Sequence, residues 1–271
     1  MATEVIAGPS PEELFGDVEL VAEDGIPLES TWHLFNIHLL VDSAAWRFQG
    51  RDDYYAGGNQ FIYFSKKQAR DRDFRGPDFY LVLGTRKEPL RDYWCVWEED
   101  GKYPNLIIEL LSPSTADLDR TVKKNVYEKV FRTPNYYCYD PATQTLDGWE
   151  LIQEVYRPLI PNEQGRLWCP QMNAWLGTWQ GIYQDQDAVW LRFFDANGQI
   201  LLIDAEASRR EAEVARQQVQ AAQQQAEAAQ QQAEAAQQQA EMERHRAEQA
   251  EAELARLKAL LAEREAQQKP Q

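Results

Sequence analysis

The chain has 271 residues and a formal net charge of −16, from 28 Lys and Arg against 44 Asp and Glu. So acidic a chain repels anionic partners at long range, which argues against nucleic-acid binding by the whole surface but allows a local basic groove. Three scattered cysteines with no CxxC or Cys/His spacing disfavour zinc and redox-pair sites and fit a reducing cytosol. No signal peptide and no membrane-length apolar run is present, so we expect a cytoplasmic protein with no membrane contact.

The first part of the chain predicts a loose segment followed by a long helix. Residues 1–25 contain Pro and Gly among acidic residues and are expected to form an irregular entry to the domain. After Pro27, apolar residues recur at roughly the helical period, which predicts a helix over 28–46.

Short β-rich runs come next. FIYF (61–64) and FYLVLG (79–84) are typical of strands, and the nearly continuous apolar run NLIIELL (105–111) predicts a buried strand. A helix capped by a Ser or Thr is expected to follow and to run to about Phe131.

Two hairpins are predicted in the second half of this region. YYCYD (136–140) and LDGWEL (146–151) flank a DPATQ turn, and VWLRFF and QILLI flank DANG. Helices and strands in this mixed order predict an α/β (α+β) domain, a central sheet with flanking helices, over residues 26–204.

The C-terminal region, 205–268, is rich in Ala and Gln. The heptad AAQQQAE occurs three times in succession from Ala221 to Glu241, and an apolar repeat of seven residues predicts a supercoiled helix, a coiled coil. Alanine seams bury little area, so pairing is expected to be weak except near Leu254, Leu257 and Leu261. A solvated helical stalk and an oligomerisation element both remain open.

Two carboxylates mark a candidate metal site. Asp78 follows Gly-Pro at the start of one predicted strand, and Glu109 interrupts the apolar run of another. A carboxylate in a buried strand is costly unless it is paired or binds a cation, and two carboxylates on neighbouring strands can share one Mg²⁺. A salt bridge for Glu109 and a simple turn for Asp78 are the alternatives.

The helix after this strand adds a possible third member. Asp119, Lys123 and Tyr127 are spaced i, i+4, i+8 and share one face, from which Lys123 could reach back over the strand that carries Glu109. An ordinary helix ion pair between Asp119 and Lys123 is the alternative. The adjacent apolar stripe is expected to pack on the sheet; its members are Leu118, Val122, Val126 and Val130.

A local excess of basic residues, which includes Arg91, spans residues 66–91 on both sides of Asp78. This stretch could follow a phosphate backbone despite the acidic total, although a solvated loop explains it equally well. Its candidate nucleic-acid contacts are Lys66, Lys67, Arg70, Arg72 and Arg75. By contrast His33, His38 and His245 have no ligand spacing with Cys or Asp.

The strings GGNQFIYF, RDFRGPDFYLVLG, YPNLIIELLSPSTADLDRTVKKNVYEKVF and YYCYDP resemble a known family. The Asp, Glu and Lys set resembles the PD-(D/E)XK nuclease superfamily, and the fuller pattern resembles its Uma-two family of restriction-endonuclease-like proteins, common in cyanobacteria. The resemblance covers roughly residues 25–205 and leaves the C-terminal repeat outside.

The resemblance implies a restriction-endonuclease-like mixed sheet and hydrolysis of phosphodiester bonds, with DNA as the expected substrate. Asp78 and Glu109 would hold Mg²⁺ or Mn²⁺ together with the backbone carbonyl of Leu110, and Lys123 would position or deprotonate the attacking water. A dimer would suit the cutting of two strands, so a homo-oligomer is expected.

The sequence departs from the superfamily pattern at one position. Leu111 stands where the motif lysine is usual, and Lys123 of the following helix matches the lysine of this family. Glu29 matches a recurrent family glutamate and is a candidate accessory to the metal, as are Asp119 and Tyr127 beside Lys123. The missing strand lysine and the net charge favour the alternative, a non-catalytic nuclease fold assembled through its coiled coil.

Overall fold

The structure is a computed structural model. It describes residues 18, 20–22, 30–71 and 76–267, with side chains up to residue 260; the predicted irregular segment 1–25 lies almost wholly outside this range. The chain divides into two compact units, Met1–Glu206 and Ala207–Gln271. Within the described residues, no helix is both long enough and apolar enough to span a bilayer.

The first helix, α1 (Thr31–Arg47), matches the prediction over the part that the structure describes. Ser30 caps it, because its side chain accepts a hydrogen bond from the backbone N–H of His33 and so satisfies a donor with no partner in the helix. One face of α1 is buried in the core of the domain through Ile37 and Leu40.

A six-stranded sheet forms the centre of the domain, with spatial order β1-β3-β5-β6-β7-β8. Its strands are β1 (Tyr54–Gly57), β3 (Phe79–Leu83), β5 (Leu106–Leu110), β6 (Asn135–Asp140), β7 (Thr145–Ile152) and β8 (Val155–Pro158). β5 and β6 pair in parallel, and the other neighbours are antiparallel. The predicted mixed sheet is therefore confirmed; β1 and β8 had no clear sequence signal.

Smaller elements complete the domain. These are β2 (Ile62–Tyr63), which pairs with β4 (Trp94–Cys95), a short helix α2 (Lys66–Arg70), and a three-stranded sheet of β9 (Leu167–Cys169), β10 (Ala174–Tyr183) and β11 (Gln186–Phe194). The hairpin expected around DANG is much shorter than predicted. β11 pairs with β10 instead, and across the DANG turn only a single bridge forms, between Phe194 and Ile200. With ten residues, β10 is a longer pairing partner for β11 than the segment after the turn, because the last helix begins only a few residues after Ile200.

Both faces of β5 are covered, which explains its continuous apolar run. Leu106, Ile108 and Leu110 point into one core with α1 and the three-stranded sheet. Ile107 and Leu111 point into the other core, which the helix after β5 closes. Because side chains alternate along a strand, Glu109 must point into this second core.

That helix, α3, runs from Ala116 to Phe131 and alternates between α and π turns. The α segments are Ala116–Leu118 and Lys124–Val126, and the π segments are Asp119–Lys123 and Tyr127–Phe131. In an α-helix, four residues rotate about 40° past one full turn around the helix axis. A π turn holds more residues per turn, so it rotates the fourth residue back. Residues four apart therefore stay in line along α3.

The predicted packing face of α3 is wrong for three of its four residues, since only Val126 among them packs against the second core. Leu118, Val122 and Val130 are 42%, 45% and 42% exposed, whereas Tyr127 and Phe131 are buried in the second core. The polar series that begins at Asp119 takes the inner face, because its members meet the carboxylate of β5.

The last helix, α4 (Asp204–Gln267), confirms the long C-terminal helix. Its described side chains from residue 208 onward are exposed, and pairing into a coiled coil stays a prediction. Near its start, Glu206 accepts hydrogen bonds at 3.0 and 2.8 Å from the guanidinium of Arg192, which is fully buried.

Replacing Glu206 with Ala should lower the free energy of unfolding by about 2–3 kcal/mol, since it leaves the charge of the buried Arg192 without its partner. This loss is smaller than that for a fully buried ion pair, because Glu206 is partly exposed. Denaturant unfolding would measure it. Glu213→Ala, on the exposed part of the same helix, is the matched control and should change stability by less than about 0.5 kcal/mol. Equal effects would contradict the importance of the ion pair.

Candidate active site

Strand register brings the two predicted carboxylates together. Phe79 of β3 pairs with Ile108 of antiparallel β5, so Asp78 and Glu109 stand at the same end of neighbouring strands. The backbone N–H of Asp78 lies 3.4 Å from Glu109 Oε2, and the backbone N–H of Leu110 donates to Asp78 Oδ2 at 2.7 Å. Direct contacts thus join two carboxylates that are 31 positions apart in the sequence.

A glycine-rich loop fixes the backbone beside Asp78. Asn59 N–H lies 3.1 Å from the carbonyl of Pro77 and 3.3 Å from that of Asp78. A Cβ on Gly58 would lie 2.9 Å from the Asp78 carbonyl and closer still to Ile37. This close approach requires glycine, so the GGNQ segment helps to position the carboxylate.

Helix α3 supplies the lysine. Lys123 Nζ lies 3.1 Å from Glu109 Oε2 and 2.7 Å from Asp119 Oδ1. Both alternatives from the sequence are therefore correct. Lys123 forms the ion pair within the helix, and it also points inward at the carboxylate of the strand. Tyr127 completes the group by donating its hydroxyl proton to Glu109 Oε1 at 2.8 Å.

The cluster carries more acidic than basic groups in a buried setting. Burial raises the pKa of Glu109 to about 8, against the opposing effect of Lys123. Burial also raises the pKa of the half-buried Asp78, opposed by Lys123 and by the Leu110 N–H. Burial by itself would lower the pKa of Lys123, but Glu109, Asp119 and Asp78 raise it well above its ordinary value, so Lys123 stays charged.

These groups fit a divalent cation such as Mg²⁺. Three carboxyl groups face one ammonium, and their donors are oxygens, which Mg²⁺ prefers together with several waters; a bound cation would displace the proton that burial keeps on Glu109. Asp78 and Glu109 are the ligand candidates, since Asp119 is held by Lys123. Among residues 30–71 and 76–260 no cluster of three or more His, Cys, Asp or Glu forms a ready-made metal site, so backbone oxygen and water would complete the shell.

His33 joins the site although sequence spacing gave it no role. Its Nε2 lies 3.1 Å from the carbonyl oxygen of Leu110, and its Nδ1 lies 2.8 Å from Ser30 Oγ. The Leu110 peptide is therefore held on both sides, by Asp78 at its N–H and by His33 at its carbonyl. The contact spans 77 residues, which no local motif reveals; a histidine in the first turn of a capped helix was the only available signal.

The remaining predicted site residues are not brought to this cluster by any described contact. Lys67 and Arg70 are exposed on α2, and Lys66 is half-buried there; Glu29, Arg72 and Arg75 lie outside the described residues.

Part of the basic stretch 66–91 is unavailable to a phosphate. Arg91 forms an ion pair with Glu99, and its guanidinium also donates to the carbonyls of Arg86, Lys87 and Pro89.

The mixed sheet flanked by helices places this domain in the restriction-endonuclease-like class of folds. The Uma2 (Uma-two) family model, described as "Putative restriction endonuclease", matches residues 16–175. The chain belongs to this family, which confirms the resemblance and supports a nuclease-like function.

No curated protein matches the chain. A solved structure, the "Crystal structure of a putative nuclease belonging to DUF820 from Anabaena variabilis ATCC 29413", is similar with 17% sequence identity and a TM-score of 0.39, over 54% of this chain and 76% of that chain.

Replacing Glu109 with Gln should change how stability depends on pH. The folded chain keeps Glu109 protonated up to about pH 8, while the unfolded chain releases this proton near 4.5. Between these values the folded state binds the extra proton, so rising pH lowers the stability that this group contributes, by up to about 1.4 kcal/mol per pH unit. The variant has no such carboxyl group, so its free energy of unfolding should rise relative to that of the wild type as pH rises.

Urea unfolding from pH 5 to 8 with a chelator present would measure the difference. Glu98→Gln, at an exposed carboxylate, should leave the pH dependence unchanged. A constant difference between Glu109→Gln and wild type would contradict the raised pKa.

Proposed function

We propose that this protein is a divalent-metal-dependent endonuclease that hydrolyses phosphodiester bonds of DNA. The observation that carries the proposal is the meeting of Asp78, Glu109 and Lys123 at one end of two neighbouring strands. Asp78 and Glu109 would hold Mg²⁺ or Mn²⁺, with the Leu110 carbonyl as a third oxygen. When bound, such an ion activates water and neutralises charge on the scissile phosphate.

Each side chain of the cluster has a defined part. Lys123 presents a permanent positive charge at the edge of the carboxylates, suited to orient the attacking water and to stabilise charge that develops on the phosphate. Asp119 holds that ammonium from the preceding turn of α3, and Tyr127 orients the Glu109 carboxylate. His33 and Asp78 together fix the Leu110 peptide.

The substrate would meet basic side chains only locally. Lys67 and Arg70 on α2 are exposed and precede the segment that leads into Asp78, so they are suited to the phosphate backbone. With a net charge of −16, binding should weaken only moderately as salt rises, because few phosphate contacts release few counterions and salt also screens the repulsion by the acidic surface. A cytoplasmic location and a homo-oligomer belong to the same proposal.

One observation favours a non-catalytic binding protein instead. Leu111 fills the usual lysine position and is buried in the second core, and Lys123 is already paired with two carboxylates. If those pairs persist with a metal present, the fold would retain the site without the reaction.

Purified wild-type protein should nick supercoiled plasmid in Mg²⁺ or Mn²⁺ and stop when EDTA is added. Asp78→Ala and Glu109→Ala should each reduce the rate at least about 100-fold, because each removes a ligand. Asp92→Ala, at an exposed carboxylate, should cleave at the wild-type rate. Cleavage that is absent, or unchanged in both ligand variants, would favour the binding protein.

Metal binding can be measured without the reaction. A cation that binds only the folded chain should stabilise it by about 2.7 kcal/mol at a concentration 100 times its Kd, seen as a rise in Tm during Mn²⁺ titration. Asp78→Ala should abolish the rise, and Asp92→Ala should keep it. An equal rise in both would place the bound metal elsewhere.

A further inference from the structure

A cavity of about 310 Å³ lies beyond the ends of β5 and β6. These two strands form the parallel pair of the central sheet, and the segments 111–113 and 140–142, at their carboxyl ends, line the cavity. In α/β sheets, ligands commonly bind in the crevice outside the carboxyl ends of parallel strands. The volume is at the lower end of the range for small-molecule sites, roughly 300–1,000 Å³.

The cavity borders the carboxylate cluster. His33 forms part of its wall, and the same side chain lies 3.1 Å from the carbonyl oxygen of Leu110. Because this carbonyl is the proposed third oxygen of the metal site, the cavity and the metal position lie on two sides of one histidine. A nucleotide whose phosphate binds the metal therefore has its base within reach of the cavity.

The composition of the wall favours a base over a phosphate. Among the lining residues that the structure describes there is no Lys or Arg, and the one charged side chain is the carboxylate of Asp140, which repels a phosphate. Pockets for planar ligands are mostly apolar with a few polar groups that fix orientation. The apolar members of this wall are Leu111, Pro113, Ala116, Pro141 and Ala142.

Asp140 supplies a fixed acceptor in this wall. Its Oδ1 accepts hydrogen bonds from the backbone N–H groups of Ala142 at 2.9 Å and Thr143 at 3.4 Å, which hold the carboxylate in a turn. Burial works against its charge, but hydrogen bonds from Thr143 and Ala142 hold the pKa of Asp140 below its ordinary value. An ionised carboxylate only accepts hydrogen bonds, and Oδ2 can accept one from a ligand.

We propose that this cavity binds the unpaired base of a nucleotide next to the scissile phosphate, and that Asp140 selects bases with an exocyclic amine. Cytosine, adenine and guanine can donate such an amine to the carboxylate, whereas thymine carries carbonyl oxygens instead. The inference rests on the proposed nuclease function and narrows its substrate, because a base is free to enter a pocket in a single strand or a locally opened duplex.

Base preference beside the cut tests the cavity. Single-stranded oligonucleotides of random sequence are incubated with the full chain and Mn²⁺, and the new ends are sequenced. Thymine should be depleted about tenfold at one of the two positions that adjoin the cut, which is the discrimination that one good contact between a side chain and a base provides.

Asp140→Asn should remove this depletion. The amide oxygen takes the place of Oδ1, since it must accept from the two backbone N–H groups, so the amide nitrogen takes the place of Oδ2 and can donate to a thymine carbonyl. Asp195→Asn is the matched control, because Asp195 accepts backbone N–H groups in a turn of the same kind but does not line the cavity. It should keep the depletion, and thermal unfolding checks that both variants are folded.

Binding without cleavage separates the cavity from the reaction. Fluorescein-labelled strands of about twelve cytosine or twelve thymine nucleotides are titrated with the full chain in Ca²⁺, which also takes oxygen ligands, and a gel confirms that they stay intact. The anisotropy should give a Kd about tenfold lower for the cytosine strand. In Asp140→Asn the two values should converge.

Each outcome decides one of the two proposals. Equal affinity for the two strands, no binding of either, or a preference that survives Asp140→Asn would overturn the assignment of the cavity. Cleavage with no depletion of thymine at either position would overturn it too, while the nuclease function stands. A preference for cytosine that depends on Asp140, with no cleavage in Mg²⁺ or Mn²⁺, would instead overturn the nuclease function and support the cavity as a base-binding site.

Discussion

The structure of this domain depends on the burial of one carboxylate. Glu109 lies in β5, a strand covered on both faces, and its side chain is fully excluded from solvent. A carboxylate there is tolerable only with partners that supply charge and hydrogen bonds. Lys123 and Tyr127 supply them from α3, which ties the position of the helix to that of the strand and holds Asp78 beside both.

This requirement explains why α3 departs from a regular α-helix. Asp119, Lys123 and Tyr127 must stay in line to reach one point on the sheet, and a pure α-helix would rotate successive members away from it. Two π segments correct the rotation, in keeping with their frequent occurrence at functional sites. The same correction aligns Leu118, Val122 and Val130, so one irregularity shapes both the inner cluster and the exposed apolar side chains beside it.

Backbone contacts around the cluster are as important as its charges. The Leu110 peptide is held by Asp78 and His33, and the Asp78 carbonyl by Asn59. Helix α1 and the loop that follows β1 therefore both contact the adjacent ends of strands β3 and β5. Convergence of this kind gives a preorganised set of oxygens, which suits the capture of a cation.

Sequence patterns alone predicted a central sheet with flanking helices, the helix after β5 and the long C-terminal helix, and they marked Asp78 and Glu109 as a candidate pair. Apolar periodicity and an isolated carboxylate in an apolar run are local signals, and the helical spacing of Asp119, Lys123 and Tyr127 indicated Lys123, which the family pattern also matches. Only the tertiary structure decided which face of α3 is buried, because Leu118 and the valines carry the stronger apolar signal, while the buried Glu109 carboxyl group binds Lys123 and Tyr127 on the adjacent face. It also decided the place of His33, since a contact across 77 residues depends on how α1 packs against the sheet and leaves no trace in local spacing.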